Sequence, residues 1–219
     1  RPHQCLLSSI NLDLSSLATS NWLQTQDIEP NKCLIINPLP IHHVSGLMPW
    51  WRSRQWGAKH EWLSPSVMRD TDGLEQFCKS LCEKKNLTML ISLVPTQLHR
   101  LLKQQSGRRL LGFFSVIWVG GDGIPNSLET VARDAGLRLS PCYGSTETSA
   151  MVTALKPDEF LSGATGCGSP LIDVELSVDK EKRLRVRTPR LANAYWENGR
   201  FKKLPITKDG WWETGDIAE

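Results

Sequence analysis

Phe113-Phe114-Ser115-Val116-Ile117-Trp118-Val119, followed by Gly120-Gly121-Asp122-Gly123, decides the fold of this 219-residue chain. The first stretch is a nearly continuous apolar run of β-branched and aromatic residues, the pattern of a strand buried on both faces. Three glycines then break it. Pro125 opens a helix to Ala135, the favoured place for proline, and Leu137 to Leu139 reads as the next strand. A strand, a loop, a helix and a second strand in this order call for a right-handed crossover and parallel pairing.

The same unit recurs upstream. Thr88 to Val94 reads as a buried strand, and Pro95 opens a helix from Thr96 to Gln105. Cys33 to Ile36 is a short apolar strand leading into Asn37-Pro38-Leu39-Pro40, with a helical stretch from His42-His43-Val44-Ser45-Gly46 to Trp56 and a further strand over Ala58 to Leu63. Asp72 to Glu83 is a helix capped by Thr71 or Asp72, with Leu74, Phe77, Cys78, Leu81 and Cys82 on one stripe. Gln4 to Gln24 reads as helical. After Gly163 the pattern alternates strictly, in Val174 to Val178 and Leu184 to Arg187, as in an antiparallel hairpin with one wet face. The expected class is therefore α/β: a mostly parallel sheet with flanking helices over residues 1–162, and a small antiparallel β-rich subdomain over 163–219.

Ligands of parallel sheets collect at the carboxyl ends of the strands, and three unusual loops fall there: His42-His43, Gly120 to Gly123, and Tyr143 to Glu147. The segment Tyr143-Gly144-Ser145-Thr146-Glu147-Thr148 puts an aromatic ring, a glycine, hydroxyls and a carboxylate side by side. Tyr143 offers a face for stacking a base, Gly144 lets backbone approach a bound group, and Thr146 can donate to phosphate oxygens. Glu147 supplies the hard oxygen that magnesium requires. The alternative is a Ser/Thr-rich loop whose hydroxyls bond only their own backbone.

The composition excludes several classes. Net charge is only +3, with 40% hydrophobic and 22% charged residues, and the basic residues are dispersed, so nothing marks a nucleic-acid face. No apolar run reaches membrane-spanning length and no basic-then-apolar leader opens the chain, so a cytoplasmic protein is expected. The six cysteines lack paired CxxC spacing and read as reduced, buried thiols rather than a zinc site. Packing accounts for most of the nine tryptophans.

Tyr-Gly-Ser-Thr-Glu-Thr at 143–148, Gly-Trp-Trp-Glu-Thr-Gly-Asp at 210–216 and Leu-Pro-Ile-His-His-Val-Ser-Gly at 39–46 resemble, in order, three core motifs of the adenylate-forming, AMP-binding superfamily. Val119-Gly120-Gly121-Asp122 resembles its adenine-side loop, and Gly166-Cys167-Gly168-Ser169-Pro170 its Gly-x-Gly-x-Pro turn. Within the superfamily, Val94-Pro95-Thr96-Gln97-Leu98 looks most like the o-succinylbenzoate–CoA ligase branch of menaquinone and phylloquinone synthesis. The resemblance implies a carboxylic acid, ATP with Mg2+, and coenzyme A as reactants. An acyl-adenylate forms first, with loss of pyrophosphate, and the thiol of coenzyme A then displaces AMP.

It also implies roles for matched positions. Tyr143 would stack on adenine, Thr146 would bond the α-phosphate, Glu147 would hold magnesium, and Asp216 would accept from both ribose hydroxyls. His43 falls on the motif histidine, near the acid and the α-phosphate, whereas His42 stands where the family usually has an aromatic. Gly120, Gly121, Asp122 and Gly144 would border the nucleotide and acyl pockets. The acyl pocket would be lined from Ile41 to Gly46 and Ser92 to His99, with His99 and Arg100 as candidates for an additional substrate carboxylate.

Two parts that the resemblance implies are not in the sequence: a Ser/Thr/Gly-rich phosphate loop ending in lysine, since no glycine precedes Gly46, and a C-terminal domain with a catalytic lysine. The chain reads as an internal piece of a longer ligase and is expected to be poorly active alone. A non-catalytic nucleotide- or acyl-binding module, or a ligase for another fatty or aryl acid, are the alternatives.

Overall fold

Apolar runs that can be buried on both faces belong at the centre of a sheet, and they lie there. The structure, a computed structural model, describes residues 4–85 and 87–218, excluding the side chains of residues 82–85. In chain order the elements begin with β1 (Gln4–Leu6), α1 (Ser9–Gln24), β2 (Cys33–Asn37), α2 (Val44–Trp56), β3 (Lys59–Trp62), α3 (Thr71–Lys85) and β4 (Thr88–Leu93). They continue with α4 (Pro95–Leu102), α5 (Gln105–Leu111), β5 (Phe114–Val119), α6 (Asn126–Asp134), β6 (Leu139–Ser145), β7 (Ala150–Ala154), α7 (Pro157–Leu161) and β8 (Ser169–Pro170). The remainder is β9 (Glu175–Val178), β10 (Arg183–Arg187), β11 (Ala194–Glu197), β12 (Arg200–Lys203) and β13 (Trp212–Ile217).

The main sheet has the order β3-β2-β4-β5-β6-β7-β8. Pairing is parallel from β3 to β6 and antiparallel for β7 and β8. Strand alternation divides its side chains between two cores. Ile36, Ile91, Ile117 and Leu139 face a layer containing Leu74, Leu98, Leu111, Leu128 and Phe160. Ile35, Leu90, Val116 and Trp118 face the opposite way, onto Trp22 and Leu23 of α1 and onto Val186 and Trp212 of the small sheets. Those sheets, β1-β11-β12 and β13-β10-β9, are antiparallel throughout. The expected hairpin is present as β9–β10, its turn held by Asp179 Oδ1, which accepts from Glu181 N and Arg183 N at 2.8 and 2.9 Å.

Several expectations are corrected. Gln4 to Gln24 is not one helix, because Gln4–Leu6 pairs with Ala194–Trp196, a partner far away in sequence. The helix begins only after Ser8, whose Oγ accepts from Asn11 N while Asn11 Oδ1 accepts from Ser8 N. The helix expected over Thr96 to Gln105 ends at Leu102, and a separate one starts at Gln105. The strand expected at Leu137 to Leu139 starts at Leu139 and runs on to Ser145, because β7 returns alongside it. Cys33 and Cys78 are buried, but Cys167 is exposed. The place of Cys82 on the α3 stripe lies outside the described side chains. Among the described residues no helix is long and apolar enough to cross a membrane.

Candidate nucleotide and acyl site

The three loops read from the sequence lie at the carboxyl ends of β2, β5 and β6, three strands of the parallel part of the sheet, with β4 between β2 and β5. Each is held by local chemistry. After β2, the fully buried Asn37 donates from Nδ2 to Gly46 O at 2.9 Å and accepts at Oδ1 from Leu39 N at 3.2 Å, stapling the turn to the start of α2. Gly46 is required there, since a Cβ would lie 2.2 Å from Pro40 O. His43 caps α2 with its carbonyl, which accepts from Gly46 N and Leu47 N, and its ring lies 4.4 Å from that of His42. Both rings are exposed. Asn37 Nδ2 also approaches His60 Nε2 at 3.2 Å, and burial lowers the pKa of His60. After β5, Gly121 takes φ +88°, and Gly123 N donates to Asp122 Oδ1 at 2.8 Å, leaving the exposed Asp122 at the loop tip.

The third loop is the end of a strand and a tight turn. β6 and β7 shift register between Tyr143 and Gly144, a bulge that turns the aromatic side chain out of the regular ladder. Gly144 fits because a Cβ would meet Ala150 O at 2.2 Å. The buried Thr148 closes the turn, its Oγ1 within 2.7 Å of Ala150 O and accepting from Ser145 N at 2.9 Å. Thr148 is therefore structural. Thr146 and Glu147 stand at the turn with half-buried side chains.

Two of the sequence-read residues meet directly. Tyr143 Oη donates to Asp216 Oδ2 at 2.6 Å, joining the main sheet to β13 across 73 positions. Burial, and next the hydrogen bond to Asp216, push the phenol pKa up, so Tyr143 stays a donor. Glu147 meets residues that the sequence did not mark: Tyr195 Oη donates to its Oε1 at 3.2 Å, and Cys5 lies close enough for burial and the carboxylate to push its thiol pKa up to about 12. Ala192 N also donates to Glu147 O at 2.7 Å. Among the described residues no hydrogen bond joins His43 or Thr146 to Tyr143, Glu147 or Asp216, nor is there a cluster of three or more His, Cys, Asp or Glu that could hold a metal. A single half-buried carboxylate such as Glu147 could still serve magnesium, which binds through one or two such ligands and completes its shell with substrate phosphates and water.

A further feature had no sequence signal. Arg52, on α2, is only 4% exposed, and its Nε and Nη2 have no protein hydrogen-bond partner. Its guanidinium lies 5.6 Å from the centre of the Trp118 ring. Burial, and secondarily the charge of Arg190, lower its pKa to about 9. Its field also reaches Cys142, the neighbour of Tyr143, whose Sγ lies 2.9 Å from where a Cβ on Gly120 would stand. A buried cation without a counter-ion is costly, and this one lies beside Trp118, near the carboxyl end of β5. His99 and Arg100 are exposed on α4 instead.

Known proteins are similar to this chain in sequence and fold. The 2-succinylbenzoate–CoA ligase of Escherichia coli strain K12 is 34% identical over 181 residues, 83% of this chain and 35% of the ligase. A structure of wild-type E. coli MenE with a bound phenylether-linked analogue of OSB-AMS superposes with a TM-score of 0.76 at 28% identity, covering 100% of this chain and 43% of that one. The o-succinylbenzoate CoA synthetase of Bacillus subtilis, bound with a product analogue, has the same fold, with a TM-score of 0.81 at 22% identity over 99% of this chain and 44% of that one. The chain thus spans well under half the length of these relatives. The AMP-binding enzyme family is matched over residues 4–196, nearly the whole of the described sequence, and the chain belongs to that family.

Proposed function

We propose that this chain is part of an ATP-dependent acid–CoA ligase whose acid is o-succinylbenzoate. The observation that carries this reading is the buried Arg52 beside Trp118 near the end of β5, its Nε and Nη2 without a hydrogen-bond partner among the described residues, in a chain 34% identical to a 2-succinylbenzoate–CoA ligase. o-Succinylbenzoate bears two carboxylates. One reacts, and the other needs a cation in a desolvated pocket, where a guanidinium fork matches it in two hydrogen bonds.

ATP with magnesium supplies the phosphorus on which the acid is activated, and coenzyme A supplies the thiol that receives the acyl group. In this reading the residues of the chain act mainly by positioning and charge neutralisation. The Tyr143 ring stacks on adenine, Asp216 accepts from the ribose, Gly120, Gly121, Asp122 and Gly144 border the ligand through backbone, and Thr146 donates to the α-phosphate. Glu147 holds magnesium. His43 orients the reacting carboxylate from the end of the β2 loop. The division expected at residues 1–162 and 163–219 separates most of the α/β part from most of the β-rich part of one nucleotide-binding unit, with β1 in a small sheet and β8 at the edge of the main one, and we infer a cytoplasmic setting.

Acid-dependent pyrophosphate exchange tests the reading on the intact protein with o-succinylbenzoate, benzoate and a fatty acid. Exchange driven by o-succinylbenzoate supports it. Exchange driven only by another acid overturns the substrate assignment, and binding of nucleotide without exchange by any acid favours a binding module.

A further inference from the structure

Tyr143 and Asp216 each sit beside an irregularity in their strand. β6 shifts register between Tyr143 and Gly144. β13 shifts against β10, so that Glu213 pairs with Arg185 while Ile217 pairs with Arg183, and Thr214-Gly215-Asp216 bows out between them. Gly215 takes φ +84°, Thr214 Oγ1 donates to Leu184 O at 3.0 Å, and Asp216 N donates to Thr214 Oγ1 at 3.0 Å. The two bulges aim a phenol and a carboxylate at one another and out of their ladders. Asp216 is otherwise exposed, and its carboxylate accepts from Tyr143.

An exposed aspartate rotates broadly about its last torsion. A short O–H···O⁻ bond is among the stronger kinds, and it occupies one of the carboxylate's four lone-pair positions. The remainder face outward in a fixed plane, which is what a vicinal diol needs. We propose that the Tyr143 hydroxyl is the positioning group that orients the Asp216 carboxylate for a ribose diol, a role separate from stacking by the Tyr143 ring. This rests on the adenylate reading above.

The test uses Tyr143→Phe in the intact protein, which keeps the ring and removes the hydroxyl, with binding of AMP and of 2′,3′-dideoxy-AMP measured by calorimetry. Wild type is expected to prefer AMP by at least about tenfold, the value of a hydrogen bond to a charged group. In the variant the affinity for AMP falls about 3- to 10-fold, the cost of re-ordering a freed side chain, while affinity for the dideoxy nucleotide is unchanged, so the preference shrinks. If the variant keeps the full preference, or loses both affinities equally as a purely structural tie would dictate, the positioning role is wrong although the adenylate reading stands. If wild type itself shows no preference for AMP, the adenylate reading of Asp216 fails, and this inference fails with it.

Discussion

Arg190 and Arg52 are both buried guanidinium groups on the α1 side of the main sheet, and their surroundings differ sharply. Arg190 is 0% exposed and paired with a carboxylate. Its Nη2 donates to Asp173 Oδ1 at 3.1 Å, its Nη1 lies 3.0 Å from both Ser15 Oγ and Met151 O, and Nε is 3.0 Å from Asp173 Oδ2, though poorly aligned for a hydrogen bond. Desolvation lowers its pKa, and Asp173 opposes that. Arg52 has an aromatic face and, among the described residues, no carboxylate. A buried charge with its partners in place ties α1, β7 and the 173–190 segment together. One without them destabilises the fold and is retained where a ligand brings the counter-charge.

The largest effect expected from this contrast is on stability. Arg190→Met should cost about 3 kcal/mol, the low end for breaking a buried pair, since Asp173, half-buried, is left without its cation, read as a fall in denaturation midpoint at unchanged slope. Combining it with Asp173→Leu should recover a large part of that loss; strict additivity of the two changes would mean that they do not act as a pair. Ser15→Ala is a smaller perturbation, about 1–2 kcal/mol, because Ser15 Oγ both donates to Ser149 O at 2.6 Å and faces Arg190. Arg52→Met, by contrast, should leave the midpoint equal or higher.

The smallest effect concerns pH. Burial holds the His60 pKa below its ordinary value of 6.5. The folded protein therefore binds fewer protons than the unfolded chain just below that pH, and its stability falls with acidification. The contribution is intact above about pH 6.5 and is lost as the pH falls through the folded value. Because Asn37 bridges His60 and Gly46, the β2 loop should loosen over the same window, and His60→Gln should flatten that part of the stability–pH curve.

What the sequence reveals and what it hides follow the reach of the interactions. The strands at 33–37, 88–93 and 114–119 are legible because burial on both faces leaves an unbroken apolar run. The motif residues are legible because a ring, a glycine and a carboxylate have few reasons to adjoin otherwise. Gln4–Leu6 is not legible as a strand, since its partner lies near residue 195. The bulges that turn Tyr143 and Asp216 toward each other come from pairing with β7 and β10, and no local pattern announces them. Tyr195 reaches Glu147 across 48 positions by the same kind of long-range pairing. Arg52 stands in Trp50-Trp51-Arg52-Ser53-Arg54, where nothing distinguishes it from Arg54 until packing buries one and leaves the other in solvent.

The pairing of a nucleotide site with a buried acid-binding cation is tested most directly by steady-state kinetics of Arg52→Met in the intact protein. The comparison is between o-succinylbenzoate and its analogue lacking the non-reacting carboxylate. We expect kcat/KM for o-succinylbenzoate to fall about 30- to 1,000-fold, the cost of removing one partner of a buried charged pair, with little change for the analogue and no loss of stability. An equal fall for both acids, or none for o-succinylbenzoate, would contradict the account.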